Sequence, residues 1–405
     1  MKKFILLCQL FYPELISTGQ VMTQLCEALA KKGYEIRVYC GPPSVSETPI
    51  SYEKDCWHES IWIRRLFSTQ FSKLHFLGKL MNHLTFSCAS FIKLLQLGRR
   101  VPVLTTTNPP FLPIICAIGH CLGGPNFSVI IADVYPDTAV NLGVMKHGSF
   151  MTRFWNCLNQ LVYRRADVLI VLGRCMKTVI ESKLEPDLRE KIHHIPLWTD
   201  DTLIAQQMQT VAQTENPYLE KWTCKGKFVV LYSGNMGRFH DMETLMQTVL
   251  QLRCREDILF IFVGEGHKRA YCRDFVEKNH LKNCRFEDYV PREDQGKVLS
   301  LASVGLVCLD EQSVGLSVPS KTYGLMAAGL PILAVMPKTS EIARMLEEEG
   351  CGAVLQSGEY EGCARFIVSM YQHPEIRQQM GESGKRALKE KYSLEKAAER
   401  YDRLF

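Results

Sequence analysis

The sequence predicts an α/β protein with two doubly wound domains, each a parallel sheet with helices on both faces. Three observations support this prediction. The chain has 405 residues, more than a single hydrophobic core usually holds. Apolar runs of strand length alternate with helical patterns along both halves of the chain. The alternation is interrupted by a polar segment at 201–226 and then restarts.

The first half begins with a strand, a helix and a second strand, the βαβ unit of a parallel sheet. Its pieces are the apolar run KFILLCQLF, the helical pattern VMTQLCEALAKKG, which Gly33 ends, and the strand EIRVYC. Later strand-then-loop segments are VPVLTTTNPP, FSVIIADVYPD, ADVLIVLG and KIHHIPLWTD. Residues 1–200 are therefore predicted to form an N-terminal domain.

The second half repeats this organisation. The polar segment at 201–226 is predicted to be a linker, and a second domain at 227–385 has its strands in FVVLYSGNMG, ILFIFVGEG, CRFEDYV, VGLVCLD and PILAVMP. Residues 386–405 are charged and favour a helix. Doubly wound sheets bind ligands at the carboxyl ends of their strands, so the loops after the strands hold the candidate site residues.

Composition narrows the function classes. The net charge of +5 fits an anionic ligand or an anionic membrane surface, and no basic run with interleaved aromatic residues indicates a nucleic-acid partner. The 16 cysteines include no C-x-x-C pair, which favours reduced thiols in a cytosolic protein over a disulfide scaffold or a zinc site. The N-terminal apolar run is short, and no segment approaches ~20 apolar residues, so neither a signal peptide nor a spanning helix is expected.

Two loops of the first domain carry candidate residues. Ser17, Thr18 and Gly19 precede the first helix, where backbone N–H groups attract anions; the alternative is that Ser17 or Thr18 only caps the helix. Asp133 stands at a strand end, where its carboxylate would orient an acceptor hydroxyl or accept a proton. It could equally cap the turn that follows.

Two glycine loops of the second domain follow strands. In YSGNMGRFH, Gly234 and Gly237 flank Asn235 and let the backbone approach a diphosphate, and Arg238 can make a bidentate contact to its oxygens. The alternative is a turn with a solvated arginine. The loop FVGEGHKR is favoured as a strand-to-helix turn, and the other interpretation places Glu265 near the ligand.

The stretch VPSKTYGLMAAGLPIL places Lys321 in the first turn of a helix. A cation there opposes the helix dipole at a cost on the order of 0.3–1 kcal/mol, which a bound anion would relieve. Lys321 is therefore predicted to bind phosphate, although a surface lysine is the alternative. Gly324, in the same helix, costs roughly 1 kcal/mol relative to alanine, so we expect that position to serve a purpose.

The segment 71–100 mixes apolar residues with the cations Lys73, Lys79, Lys93, Arg99 and Arg100 and has few competing acids. A basic amphipathic helix of this type can lie on an anionic bilayer. Packing in the core of the first domain is an equal alternative.

Taken in order and spacing, these motifs resemble the family 4 glycosyltransferases of the GT-B fold. The motifs YSGNMG and PSKTY are most similar to those of bacterial enzymes of capsule, O-antigen and exopolysaccharide synthesis. The resemblance covers nearly the whole chain. It implies two Rossmann-like domains facing each other across a cleft, in a retaining transferase of the hexosyltransferase type. The substrate would be a nucleotide sugar, with a UDP-sugar favoured, and neither a cofactor nor a metal would be needed.

The resemblance also implies separate roles for the two domains. The second domain would bind the donor and the first the acceptor, a glycan or a lipid-linked molecule, in the cytoplasm or at the inner face of its membrane. The terminal helix, from Leu394, would cross back to the first domain. The implied catalytic residues are Asp133, Arg238 and Lys321, and the implied donor-binding residues are Ser17, Thr18, Gly19, Gly234, Asn235, Gly237, Glu265, Ser320, Tyr323 and Gly324.

One departure from the family pattern affects specificity. Many relatives carry two glutamates, eight positions apart, that lie near the donor sugar and contact the ribose. Leu316 and Gly324 stand at these positions here, and the nearby Asp310 and Glu311 are out of register. Sugar and ribose recognition are therefore in question, whereas the diphosphate site is not. Two alternative functions stay open: a catalytically silent GT-B binding module, and a non-hydrolysing sugar-nucleotide epimerase.

Overall fold

A computed structural model describes residues 2–14, 17–43, 52–71, 76–213 and 215–405. The chain divides into two compact units. The first comprises Met1–Pro196, Gly315–Ser317 and Ala397–Phe405, and the second comprises Leu197–Val314 and Val318–Lys396.

The first unit is built on an eight-stranded sheet with the order β3-β4-β2-β1-β5-β6-β7-β8, parallel except for the antiparallel pair β3 and β4. Its strands are β1 (Lys3–Leu7), β2 (Glu35–Cys40), β3 (Asp55–His58), β4 (Ile61–Arg65), β5 (Val103–Thr106), β6 (Phe127–Ile131), β7 (Leu169–Val171) and β8 (Ile192–His194). Its helices are α1 (Ser17–Lys31), α2 (Phe76–Leu97), α3 (Leu112–Cys121), α4 (Asp137–Asn141), α5 (Phe150–Arg165) and α6 (Arg174–Glu181). The apolar runs of the sequence are the buried strands of this sheet, as the parallel arrangement requires.

The second unit has a six-stranded parallel sheet with the order β11-β10-β9-β12-β13-β14. Its strands are β9 (Phe228–Ser233), β10 (Ile258–Val263), β11 (Cys284–Glu287), β12 (Val304–Cys308), β13 (Ile332–Val335) and β14 (Gly352–Leu355). Its helices are α7 (Asp201–Gln213), α8 (Pro217–Lys221), α9 (Met242–Gln251), α10 (Arg269–Lys278), α11 (Gln295–Leu299), α12 (Lys321–Ala328), α13 (Glu341–Glu349), α14 (Tyr360–Gln372) and α15 (Pro374–Ala387). Helix α16 (Leu394–Leu404) begins at the end of this unit, and its residues from Ala397 onward belong to the first. The strand order reverses between β9 and β12, and such switch points are where doubly wound sheets bind ligands.

The segment 201–226 differs from the linker that the sequence predicts, because it belongs to the second unit as α7 and α8. Two of its polar residues, Gln207 and Asn216, are buried against α11 and the residues beside it. The Gln207 amide donates to the Arg292 carbonyl (3.1 Å) and accepts from the Gly296 N–H (2.6 Å). The Asn216 side chain caps α8 and also donates to the Lys297 carbonyl (2.8 Å). Satisfied buried amides make a polar sequence compatible with a packed helix.

The end of the chain belongs to the first unit. The Asp402 carboxylate accepts hydrogen bonds from the Tyr34 hydroxyl (2.7 Å) and from the Lys2 ammonium (2.9 Å). The ring of Phe405 stacks on Phe4 of β1, with centroids 6.1 Å apart. These contacts attach the end of α16 to the first strand of the chain.

Candidate functional site

The loops after β9 and β10 interlock at the switch point of the second sheet. The Met236 N–H donates to the Glu265 carbonyl (2.7 Å), and the Lys268 N–H donates to the Met236 carbonyl (3.0 Å). Gly264 has a φ of 125°, and a Cβ there would lie 2.5 Å from the Gly234 carbonyl oxygen. A side chain at this position would therefore separate the two loops, so the two glycine motifs of the sequence form one structure.

The buried Tyr232 and the half-buried His240 hold the Gly234–Arg238 loop. The Tyr232 hydroxyl donates to the Asn235 carbonyl (2.8 Å), and the Gly237 N–H donates to Nδ1 of His240 (3.1 Å). Burial, together with the charge of Lys321, lowers the pKa of His240 to about 3, so the imidazole is neutral and Nδ1 can accept. The sequence reasoning assigned His240 no role, and its only signal was a position two residues beyond Arg238.

Lys321 opens α12 and points under the same loop. Its Nζ lies 3.5 Å from the centroid of the Tyr232 ring, and a Cβ on Gly234 would lie 3.1 Å from its Cε. The ammonium nitrogen is shielded from solvent and has no hydrogen-bond partner among the residues that the structure describes. Desolvation lowers its pKa from 10.5 to about 7. A buried cation supported by an aromatic face, with no carboxylate against it, is suited to an incoming anion.

The other residues predicted for the donor site differ from one another in exposure and position. Asn235 and Arg238 are exposed on the loop, and Ser320 is the N-cap residue of α12. The Glu265 carboxylate is exposed and pairs with Arg269, so it supports the strand-to-helix turn, while its carbonyl holds the neighbouring loop. Tyr323 is buried, with its ring 5.7 Å from that of Tyr392.

Gly324 lies where α12 meets α7 and α11. A Cβ at this position would lie 3.5 Å from Nε2 of Gln295 and 4.0 Å from Cδ1 of Ile204, which are ordinary packing distances. Leu316 belongs to the first unit, where its carbonyl accepts from the Val134 N–H (3.0 Å). The Asp310 carboxylate accepts from the Ser313 hydroxyl, and burial raises its pKa. The positions of the two family glutamates therefore hold packing residues in this chain.

Asp133 lies just after β6 in the first unit. Its N–H donates to the Thr107 hydroxyl (3.1 Å), as does that of Ala132 (3.0 Å), which fixes the backbone at the strand end. Desolvation raises the pKa of the Asp133 carboxyl to about 6, and the charge of Lys79 on α2 opposes this rise. A carboxylate with such a pKa can exchange a proton near neutral pH.

The loop after β1 is held by Arg65, which the sequence reasoning missed. This buried guanidinium, at the end of β4, donates to the Tyr12 carbonyl (2.6 Å) and to the Gly41 carbonyl (3.2 Å). Gly19 lies in the first turn of α1, where a Cβ would lie 2.8 Å from Cβ of Glu14. Thr18 is half-buried beside it, whereas residues 15–16 and the side chain of Ser17 lie outside the described part of the chain.

Helix α2 covers most of the predicted segment 71–100, whose residues 72–75, with Lys73, lie outside the described ranges. One face of α2 packs inward: Nδ1 of His83 lies 2.7 Å from the Gln9 amide oxygen, and Nζ of Lys93 lies 4.9 Å from the centroid of the Tyr39 ring. Lys79, Arg99 and Arg100 are exposed. The described helices include none that is long and apolar enough to cross a membrane.

Comparison with known proteins identifies the family. Residues 18–198 match the "Glycosyl transferase 4-like domain" model, and residues 219–387 match the "Glycosyl transferases group 1" model. WbjE of Pseudomonas aeruginosa, whose name makes it a glycosyltransferase, is 31% identical over 277 residues, which is 68% of each chain. The chain belongs to the family 4 glycosyltransferases.

Other relatives of this glycosyltransferase agree with that assignment. The "Putative colanic acid biosynthesis glycosyl transferase WcaI" of Escherichia coli K12 is 22% identical over 353 residues, covering 83% of this chain and 84% of its own. The structure of Anabaena Alr3699/HepE, solved with UDP-glucose, matches with a TM-score of 0.72 at 11% identity, over 100% of this chain and 99% of that one. The fold is therefore GT-B.

Proposed function

We propose that this glycosyltransferase moves a sugar from a UDP-sugar to a glycan or a lipid-linked acceptor in cell-surface polysaccharide synthesis. The observation that carries the proposal is the buried, unpartnered ammonium of Lys321 beneath the Gly234–Arg238 loop. The name of WcaI supports the pathway class, and the UDP-glucose complex of HepE supports the donor class.

The proposed chemistry places negative charge on the leaving diphosphate. The bond between the anomeric carbon and the phosphate oxygen breaks, and the acceptor oxygen bonds to that carbon. Lys321, Arg238 and the loop N–H groups stabilise the departing charge, which is the largest task of such a catalyst. Lys321 and Arg238 would supply this cationic stabilisation without a metal.

We assign retention of configuration to front-face attack, in which the acceptor hydroxyl enters beside the departing phosphate. Its proton then moves to the leaving phosphate oxygen. Asp133 orients the acceptor hydroxyl, because its carboxylate lies at a strand end and ionises near neutral pH. The proposed location is the cytoplasm, with the exposed cations of α2 at the inner surface of the membrane.

The test is donor turnover with UDP-, GDP- and ADP-sugars. The Lys321→Met variant removes the charge while keeping an apolar chain of similar length, and Lys278→Met, at an exposed position of α10, is the matched control. We expect Lys321→Met and Arg238→Ala each to lower turnover by about 10²–10³-fold, in the range known for lost transition-state donors. Full turnover in either variant contradicts the assigned site.

A second candidate function is a silent binding module, which the packing roles of Leu316 and Gly324 favour. UDP binding that depends on Lys321, without turnover of any sugar nucleotide by the unmodified protein, would select it. An epimerase would instead convert the sugar nucleotide without an acceptor.

A further inference from the structure

Residues 60–166 have an unusual charge balance. They contain eleven Lys and Arg but only two acids, Asp133 and Asp137, although the net charge of the whole chain is only +5. Four helices of the first unit lie in this stretch; α2, α3 and α5 contain no Asp or Glu, whereas the short α4 begins with Asp137. The rest of the chain is therefore net acidic, and the positive charge is concentrated on one part of one unit.

These three helices form one continuous surface. Helix α3 lies between the other two: a Cβ on Gly119 of α3 would lie 3.5 Å from Cβ of Leu94 on α2. On the other side, the ring of Trp155 on α5 stacks on Phe111, which precedes α3, with centroids 4.9 Å apart. We call the exposed side of α2, α3 and α5 the outer helical face.

Helix α2 presents an apolar stripe on this face. Exposed apolar side chains recur at every third or fourth residue, which places them on one side of a helix. Leu77 and Ile92 are 72% and 58% exposed. The other members of the stripe are Met81, Leu84, Cys88 and Leu95. Because Phe86 and Leu94 already fill the inward face, the stripe has no role in the core of the unit.

Helix α5 repeats the arrangement with aromatic residues. Phe150, Met151 and Phe154 are 82%, 57% and 51% exposed, and the two phenylalanine rings stack with centroids 6.2 Å apart. The opposite face of the helix holds the buried Thr152 and Tyr163. Exposed apolar residues in such numbers are typical of an interaction surface, whereas single ones are ordinary.

We propose that the outer helical face docks on an anionic lipid bilayer, with Phe150 and Phe154 inserted at the boundary of headgroups and acyl chains. The exposed cations on or beside the face, Lys146, Arg153, Arg99 and Arg100, contact the headgroups. An anionic membrane supplies both an apolar layer and a negative surface potential. A second copy of the chain fits less well, because two acid-free, cationic faces repel each other.

This proposal extends beyond the segment 71–100, because it adds α5 as an insertion element and makes Phe150 and Phe154 its main anchors. It does not require the glycosyl-transfer assignment, since α5 contributes none of the residues assigned to donor or acceptor binding. Membrane docking and donor turnover can therefore fail independently.

The test is cosedimentation of the whole protein with phosphatidylcholine vesicles, with and without phosphatidylglycerol. We expect binding only to the anionic vesicles. The double substitution Phe150→Ser with Phe154→Ser should weaken that binding by at least about 10-fold, since full burial of one such ring is worth about 1.5–3 kcal/mol. The matched control is Tyr271→Ser with Ile376→Ser, two exposed apolar positions of the second unit, which should bind as the unmodified protein does.

A second readout reports insertion directly. Phe150→Trp fluorescence should be quenched by brominated lipids in anionic vesicles, whereas fluorescence of Ile376→Trp should show no added quenching. Unchanged melting temperature and UDP affinity in the serine variant establish that it is folded. The proposal is overturned if the folded serine variant keeps full vesicle binding, if the unmodified protein binds no anionic vesicles, or if the same substitutions instead abolish a dimer in sedimentation experiments.

Discussion

The proposed contact between the Lys321 ammonium and the diphosphate predicts that the affinity for UDP depends on pH. In the free protein, desolvation holds its pKa near 7, whereas an ordinary lysine has a value of 10.5. A bound diphosphate lies against the charged form and returns the pKa toward the ordinary value, so binding takes up a proton above neutral pH. A return of the full difference corresponds to differential binding on the order of 5 kcal/mol.

The expected titration follows from these two pKa values. Below pH 7 the ammonium is already charged, so Lys321 adds no pH dependence to the affinity for UDP. Above pH 7 each pH unit costs about 10-fold in affinity, so the Kd for UDP should rise about 100-fold between about pH 6 and pH 9. Titration calorimetry in buffers of different ionisation enthalpy measures both the Kd and the proton uptake.

The Lys321→Met variant separates this effect from the titration of UDP itself, because UDP titrates identically with both proteins. Its Kd should be weaker and should not change between pH 7 and pH 9. A Kd for the unmodified protein that is equally flat in this window, or binding without proton uptake at pH 8, refutes the claim that Lys321 meets the diphosphate.

Three further results are expected. Lys321→Met should raise the free energy of unfolding at pH 7 by about 1–4 kcal/mol, because the folded protein no longer desolvates a cation; the gain in thermal or urea unfolding should shrink as pH rises from about 7 to about 10. Asp133→Asn should remove the acid limb of transfer activity near pH 6, where the carboxyl loses its charge as pH falls, whereas Asp137→Asn, which affects a carboxylate paired with Lys183, should leave that limb in place. Gly324→Ala should stabilise the protein by up to ~1 kcal/mol, since a Cβ fits there without strain, whereas Gly381→Ala should destabilise it because a Cβ would collide with the Gly329 carbonyl.

The sequence predicts the strands that are buried on both faces, because these leave continuous apolar runs such as ILFIFV in β10. It does not predict β3, β4 and β14, which are only partly buried. It also predicts that glycine loops follow β9 and β10, since only glycine tolerates a φ such as the 125° of Gly264. It does not predict α7 and α8. In the sequence, the amides of Gln207 and Asn216 predict solvent exposure. Only the tertiary structure supplies the backbone partners that allow their burial.

Side-chain pairing is the part of the site that the sequence does not determine. Glu265 follows a strand of the second unit in a position that suits ligand contact, yet its carboxylate pairs with Arg269, one helical turn later. His240 lacks any distinctive neighbour in the sequence, and its role appears only when the loop folds back and the Gly237 N–H reaches Nδ1. Both outcomes depend on which groups meet after folding.

The pairing also explains how Lys321 stays available. Two acids in or just after the glycine loops are held by other groups: Glu265 pairs with Arg269, and Glu243 pairs with Lys268 at 2.8 Å. Tyr232 then presents only its ring face to the ammonium, because its hydroxyl is held by the loop. An acid free to reach Lys321 would neutralise it and raise its pKa, and a diphosphate would then have to compete with that acid. Because these carboxylates are paired elsewhere, the proposed diphosphate would be the counter-ion of this buried cation.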